Sequence, residues 1–431
     1  MEPPGAGRKR RPRAREQGAG TVNSTFGSGA QSNAYRSGCL RLAASLLAMS
    51  LLAIAATGPA PGYADGRVPT SKYTEIRALY LTGVVAGMPR GKRLAKEWRA
   101  AGGNAVVFNV KDEDGVVSFN SGLPLANHYA RPYIPHLHAW VQWMHAHGLY
   151  VIARQDLFKD ERLVHAHPEL GIHSRATGGL WFHGRYPDPS LPAVQRYNLA
   201  LAKEVAQAGV DELQLDYIRF PVVGHQKDAE FYYQKAHPGW TRADVITQFV
   251  YQVRRELRPY HVHLSLDVFG VMGWARPRDM ANTGQDIVAL SYYCDVICPM
   301  IYPSHFFHFD DIPNPGDRPK HFIRISMQRF DRATRGTGVV IRPWLQAFSW
   351  HTHIYNPHYI QVQVRTAWQQ HGDGFQLWNA GNFYGVAMRA MPAMFAKPAA
   401  YWSGGFPYPV RVRTTTAKSV PTAGPAAPTR R

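Results

Sequence analysis

Asp216 stands inside an apolar run. The stretch ELQLDYIRFP, residues 212–221, surrounds it with Leu213, Leu215, Tyr217, Ile218 and Phe220. A buried carboxylate is costly unless something answers its charge. Asp267 repeats the arrangement in HLSLDVFG, residues 263–270. Two carboxyl groups in a shielded place can divide acid and base work between them. Successive strand residues point to opposite faces. Gln214 and Asp216 then oppose Leu213 and Leu215, while His263, Ser265 and Asp267 oppose Leu264, Leu266 and Val268. Arg219 falls one residue out of the facing register of Asp216, so it is expected to anchor the following loop.

Other stretches carry the same signature. Asn109 and Lys111 share a face of AVVFNVK (105–111), and Arg154 and Asp156 share one of YVIARQD (150–156). Met300 and Tyr302 do so in DVICPMIYP (295–303), and Arg342, Trp344 and Gln346 in IRPWLQAF (341–348). Gln376 and Trp378 alternate in GFQLWNAGN (374–382), with Asn379 just beyond. With RALYLTG (77–83) and the two Asp-bearing runs, 212–220 and 263–270, this makes eight strands between residues 77 and 382. Amphipathic segments fall between them, among them HLHAWVQWMHAHG, AVQRYNLALAKEVAQAG and ADVITQFVYQVRREL, with apolar residues at helical spacing. Several end in Gly just before the next strand, as a helix C-cap does. Eight such alternations predict an α/β fold, a single-domain (β/α)8 TIM barrel. The open doubly wound sheet is the alternative, but GVVAGMPRG does not match its Gly-rich phosphate loop.

The polar positions lie toward the C-terminal ends of the strands, where this fold builds its sites. Several chemistries that use a pair of carboxyls, glycoside hydrolysis among them, need one ionised and one protonated. Asp216 and Asp267 are the expected catalytic pair, on neighbouring strands about 4.8 Å apart. That spacing matches the roughly 5–5.5 Å of a retaining enzyme. Asp112 and Asp114 of KDEDG are substitute acids, although KDEDG also reads as a strand-end turn. The structural rival for Asp216 is a buried pair with Arg154 or Arg342. Lys111 and Arg154 are candidate substrate contacts. Trp181, Tyr302, Trp344 and Trp378 are candidate sugar platforms, with the amides of Gln346 and Asn379 available for hydroxyls. The long loops at about 157–190, 221–240 and 303–320 are aromatic enough to be functional. His305 and His308, in the last of them, read as sugar contacts or surface residues more than as metal ligands. Neither H-E-x-x-H nor G-x-S-x-G occurs. No metal and no cofactor is expected.

KDEDG (111–115), YVIARQDLFKD (150–160), LDYIRFP (215–221), DVFG (267–270), PMIYPSH (299–305), RPWLQAF (342–348) and LWNAGN (377–382) together carry a resemblance. Over roughly residues 75–395 the chain resembles a bacterial family of glycoside-hydrolase-like domains of unknown function. The resemblance implies a TIM barrel and glycosidase chemistry. By analogy with α-amylase- and α-galactosidase-type clan relatives, it makes Asp216 the nucleophile and Asp267 the acid/base. The chain departs from these patterns in carrying Gln214 where those amylases keep an Arg. It also carries Gln155 and Asp156 in place of small or apolar residues, and Asn109 in place of an Asp. A non-catalytic carbohydrate-binding barrel of the cell envelope and a metal-dependent polysaccharide hydrolase or deacetylase are the alternatives.

The net charge of +19 over 431 residues invites a nucleic-acid reading, but its distribution argues against one. Residues 1–41 carry +6, residues 405–431 carry +5, and +8 is spread over the rest. No dense basic helix or RNA-binding signature appears, so carbohydrate is the expected partner and nucleic acid is not. The basic ends suit peripheral contact with an envelope surface or an anionic polymer. RKRRPRAR precedes the apolar run Leu42–Ala56, and GYA precedes Asp65, so residues 1–64 read as a basic region with an export signal cleaved after Ala64. An uncleaved N-terminal anchor is the rival. Residues 65–74 form a linker, 75–396 the barrel, and 397–431 a basic Pro/Thr/Ala-rich tail expected to be disordered. Cys39 would leave with the signal. Cys294 and Cys298 lie too far apart along a strand to bridge, and buried thiols are expected.

Overall fold

The computed structural model describes residues 75–395. The expected export segment, Cys39 and the C-terminal tail lie outside them. Eight parallel strands close on themselves: β1 (Ile76–Leu81), β2 (Ala105–Lys111), β3 (Tyr150–Asp156), β4 (Glu212–Asp216), β5 (His263–Phe269), β6 (Val296–Ile301), β7 (Val340–Ile341 and Trp344–Gln346) and β8 (Gly374–Trp378). Each pairs with its neighbour in sequence, and β8 pairs with β1 to shut the cylinder. This is the (β/α)8 barrel. β7 is split at Arg342–Pro343, because Pro343 has no N–H to give the ladder.

The helices bury one stripe each. Helix Pro192–Gln207 turns Val194, Tyr197, Asn198, Leu201 and Val205 inward. Helix Arg242–Leu257 buries Val245, Ile246, Phe249, Val250 and Val253, and a capping box of Thr241 and Asp244 starts it. Gly148 and Gly209, each leading from a helix into the next strand, have left-handed φ of 71° and 85°. Glycine takes that conformation without the strain a Cβ brings.

Both faces of the strands are covered, so burial along them is nearly continuous. The outer faces pack on the helices. The inner faces hold a separate apolar set that includes Ala78, Tyr80, Val107, Ile152, Cys298 and Trp344. Polar pairs tie the inside together. Near the strand starts, Arg342 Nη1 grips both oxygens of Glu212 at 2.9 and 2.8 Å, and the Tyr150 hydroxyl donates to Glu212 at 3.1 Å. Further along, the Gln214 amide donates to Gln376 at 3.0 Å and faces the Cys298 thiol at 3.2 Å. Cys294 and Cys298 are both buried, and no disulfide joins them.

Two details differ from the sequence expectation. The run expected as strand over 212–220 stops at Asp216, because Tyr217 adopts φ 49° and turns the chain. Ile218 and Phe220 stay fully buried, but beneath the next loop, where Phe220 meets Phe231 edge-on at 5.0 Å. The long loops after β3 and β4 are also joined by a small antiparallel sheet, His173–Ser174 with Ala229–Glu230. Among the described residues, no helix is long and apolar enough to cross a membrane.

Candidate active site

Three consecutive strands carry an inward aspartate at or near their C-terminal ends. Asp156 closes β3, and Asp216 closes β4 directly opposite it in the ladder. Asp267 lies on β5, one position beyond the Leu215–Leu266 pair. The Arg154 guanidinium sits among them. Its Nη2 donates to Asp216 Oδ2, and its Nε donates to Asp267 Oδ2 at 3.3 Å. Its Nη1 donates to Asn109 Oδ1 at 2.9 Å and lies 2.8 Å from Asp156 Oδ1. The plane of the guanidinium lies against aromatic rings, with its carbon 5.2 Å from the Trp378 ring and 5.8 Å from that of Tyr80. Trp378 and Tyr80 stack on each other at 4.2 Å.

The environment sets the protons. Burial pushes the Asp267 carboxyl well above the usual carboxylate range; the neighbouring Asp216 adds to this, while Arg154 and the Trp344 N–H oppose it. Burial also raises Asp156 well above that range, against Arg154 and with help from Asp216. Burial works against the charge on Arg154, but Asp156, Asp216, Tyr80 and Asp267 outweigh it and hold the guanidinium firmly protonated. At the wall of the site, burial raises the Tyr302 phenol, reinforced by Asp267 and Asp216.

The expected residues divide into two groups. Asp216, Asp267, Arg154, Trp378 and Tyr302 converge at the C-terminal mouth of the barrel. Asp112 is half-buried on the β2 loop, with Oδ1 accepting from Val116 N at 2.9 Å and Asp114 N at 3.1 Å. Burial pushes its carboxyl up against those two bonds. Asp114 is exposed beside it, and His305 is exposed at the rim. Of the two structural rivals for Asp216, the buried pair with Arg154 is present and the pair with Arg342 is not, since Arg342 serves Glu212.

The structure corrects several expected sugar contacts. Lys111 does not face the barrel interior. A bulge between Asn109 and Lys111 turns it outward, where its ammonium meets Asp160 at 2.7 Å and Asn198 Oδ1 at 3.3 Å with no exposure at all. Trp344 is 1% exposed and offers no open face; its indole N–H donates to Asp267 Oδ1 at 2.7 Å. Trp181 is buried under the loops, donating to His225 O at 3.3 Å. The Gln346 amide spans Phe348 O and Ser304 N, and the Asn379 amide spans Ala347 O and Gly381 N. Both hold loop backbone and have little left for a hydroxyl.

Other groups at the mouth escape a reading by period and motif. Asp156 shares its face with Arg154, yet alternation gives no reason to prefer it. Tyr80 is one aromatic among many. The Tyr217 hydroxyl donates to Glu113, which Lys159 also meets at 2.6 Å. Those partners hold the Glu113 carboxyl below its ordinary range although burial opposes them. Open aromatic faces include Trp350, 49% exposed and 4.9 Å from the His305 ring, Phe307, 40% exposed, and Phe383, 70% exposed. Among the described residues, no group of three His, Cys, Asp or Glu side chains is set to hold a metal ion.

Residues 78–384 match a family whose description is "putative glycosyl hydrolase domain". The chain belongs to this glycosyl hydrolase family. No curated protein sequence matches it. Among solved structures, the glycoside hydrolase domain of PgaB (BpsB) from Bordetella bronchiseptica is 14% identical and aligns over 74% of this chain and 99% of its own, with a TM-score of 0.55. A hypothetical protein from Ruminiclostridium thermocellum is 31% identical over 44% of this chain and 97% of its own, with a TM-score of 0.40. The first likeness concerns the fold. Family and barrel together make the chain a glycoside hydrolase-like enzyme.

Proposed function

We propose that the enzyme cleaves glycosidic bonds in a polysaccharide or oligosaccharide by a retaining, two-carboxylate mechanism. The observation that carries this reading is the single Arg154 guanidinium touching both Asp216 and Asp267. Sharing one guanidinium from paired strands keeps the two carboxyls close, which supports the short separation of roughly 5–5.5 Å that retaining enzymes use. Asp216 is the less enclosed of the two and serves as nucleophile. Its oxygen bonds to the anomeric carbon as the glycosidic C–O bond breaks, and Asp267 gives its proton to the departing oxygen. Water then attacks the anomeric carbon and returns a proton to Asp267, and Asp216 is released. Asp112, Tyr302, Trp378, His305 and the open face of Trp350 are the surfaces for sugar.

Hydrolysis of a glycan library tests this. Asp216→Asn should lose on the order of 10⁴-fold in kcat, the scale seen for single members of a catalytic set. Asp267→Asn should spare activated aryl glycosides relative to natural ones, because a good leaving group needs less acid help. Turnover surviving in Asp216→Asn removes it as nucleophile. The near-complete burial of Asp267, 1% exposed, favours a second reading, a barrel that binds carbohydrate without cleaving it. Glycan binding without turnover in the wild type would establish that reading. We further infer export, from the basic segment, the apolar run Leu42–Ala56 and the small-residue site ending at Ala64. A mature N-terminus at Asp65 in an exported fraction is the expected result.

A further inference from the structure

Three carboxyl groups meet one guanidinium in this site, and the chemistry proposed above accounts for only two of them. We propose that Asp156 is a positioning residue that works as a neutral carboxylic acid, holding a proton while Asp216 carries the charge that Arg154 balances. The inference rests on the reading of Asp216 as nucleophile and Asp267 as acid.

A retaining site at rest needs one carboxylate and one protonated acid. One guanidinium offsets the carboxylate. A second negative charge at Asp156, 1% exposed and opposite Asp216 in the ladder, would have no cation of its own. The hydrogen bonds agree. Asp216 accepts from Arg154 and from the Tyr217 N–H, and Asp267 accepts from Arg154 and Trp344. Neither oxygen of Asp156 accepts a hydrogen bond, although Arg154 lies 2.8 Å away. An ionised Asp156 would share that one guanidinium with Asp216 and accept no hydrogen bond, so the protonated acid is the less costly state.

The groups facing Asp156 from each side are Tyr80 on β1, Asn109 at the end of β2 with Asp112 and Glu113 just past it, Arg154 on its own strand, Asp216 and Tyr217 at the end of β4, and Asp267 on β5. Among the described residues, Arg154 is the cation in contact with Asp156, and Asp216 already takes its Nη2. If Asp156 ionises, it competes for the guanidinium and repels the nucleophile. Asp156 therefore holds Arg154 on Asp216 only while neutral. The proton is held at Asp156 throughout the reaction, so it enters neither chemical step.

Two measurements on the full protein test this. The first is thermal stability of wild type and Asp156→Asn from about pH 4 to pH 8. A group whose folded pKa lies above its unfolded value of about 3.9 stabilises the fold below that value and loses the contribution as pH rises through the folded pKa. Asn cannot lose a proton. The Tm of Asp156→Asn relative to wild type should therefore climb steadily across this range. A relative Tm that stays flat across this range means an ordinary ionised Asp156 and overturns the proposal. Asp156→Ser gives the same trend if the Asn variant does not fold.

The second is the alkaline limb of kcat/KM. Wild type must keep two protons, on Asp267 and Asp156, and its limb should fall with a slope of two. Asp156→Asn should fall with a slope of one. Equal slopes, or a folded Asp156→Asn inactive at every pH, would overturn the role. The stability arm needs no turnover. A rising Tm difference in a protein that hydrolyses nothing would therefore count against the proposed mechanism and leave the neutral Asp156 standing.

Discussion

The indole N–H of Trp344 and the Nε of Arg154 each take one oxygen of Asp267. Trp344 thus helps set the proton affinity of the proposed acid while exposing almost none of its ring. Trp344→Phe keeps most of the packing and removes that donor. It should cost about 1–3 kcal/mol in urea unfolding, the scale for stranding a buried polar atom. Because the bond lowers the Asp267 pKa, losing it should move the alkaline limb of activity to higher pH. A limb that stays in place would mean that Asp267 does not govern it. At this scale the sequence was partly legible. The two-residue period places Asp216, Asp267 and Arg154 on the inner face of their strands. It does not say which inner residues meet, so Arg154 as the common partner of three carboxyls is visible only in three dimensions. Gln346 and Asn379 mislead for a related reason: a polar residue near a strand end serves loop backbone as readily as a ligand.

The departures among the elements have local causes. The bulge in β2 breaks the alternation between Asn109 and Lys111, so Asn109 reaches Arg154 while Lys111 points at the helices. There Lys111 and Asp160 form a pair that is completely enclosed and ties the end of β2 to the loop after β3. Gly115, in the loop after β2, has φ 90°, and a Cβ on it would lie 1.9 Å from Asp160 Oδ1. Lys111→Met should leave the Asp160 charge stranded and cost about 3–5 kcal/mol in chemical denaturation. The double variant Lys111→Met with Asp160→Leu should recover much of that loss. A single variant as stable as wild type would show that the pair does not hold the loop after β3. A bulge inserts one unpaired residue without a composition signal of its own. The left-handed turn at Tyr217 is equally silent, since aromatic residues seldom mark such positions.

Across the whole molecule, the strand–helix period was the strongest signal, because eight buried strands alternating with amphipathic helices fit few architectures. The barrel brings the ends of β3, β4 and β5 together and leaves the aromatic faces of Trp350 and Phe307 open at the rim. What the period could not supply is the balance of charge inside the mouth, which depends on contacts between residues tens of positions apart. The central claim is that Asp216 bonds to sugar. The direct measurement is peptide mapping by mass spectrometry after exposure to a panel of 2-deoxy-2-fluoroglycosyl fluorides. These reagents form the glycosyl-enzyme and slow its hydrolysis. One glycosyl group is expected on the peptide containing LDYIRFP, at Asp216. A label on Asp267 or Asp156, or no label from an enzyme that hydrolyses the parent glycosides, would contradict it.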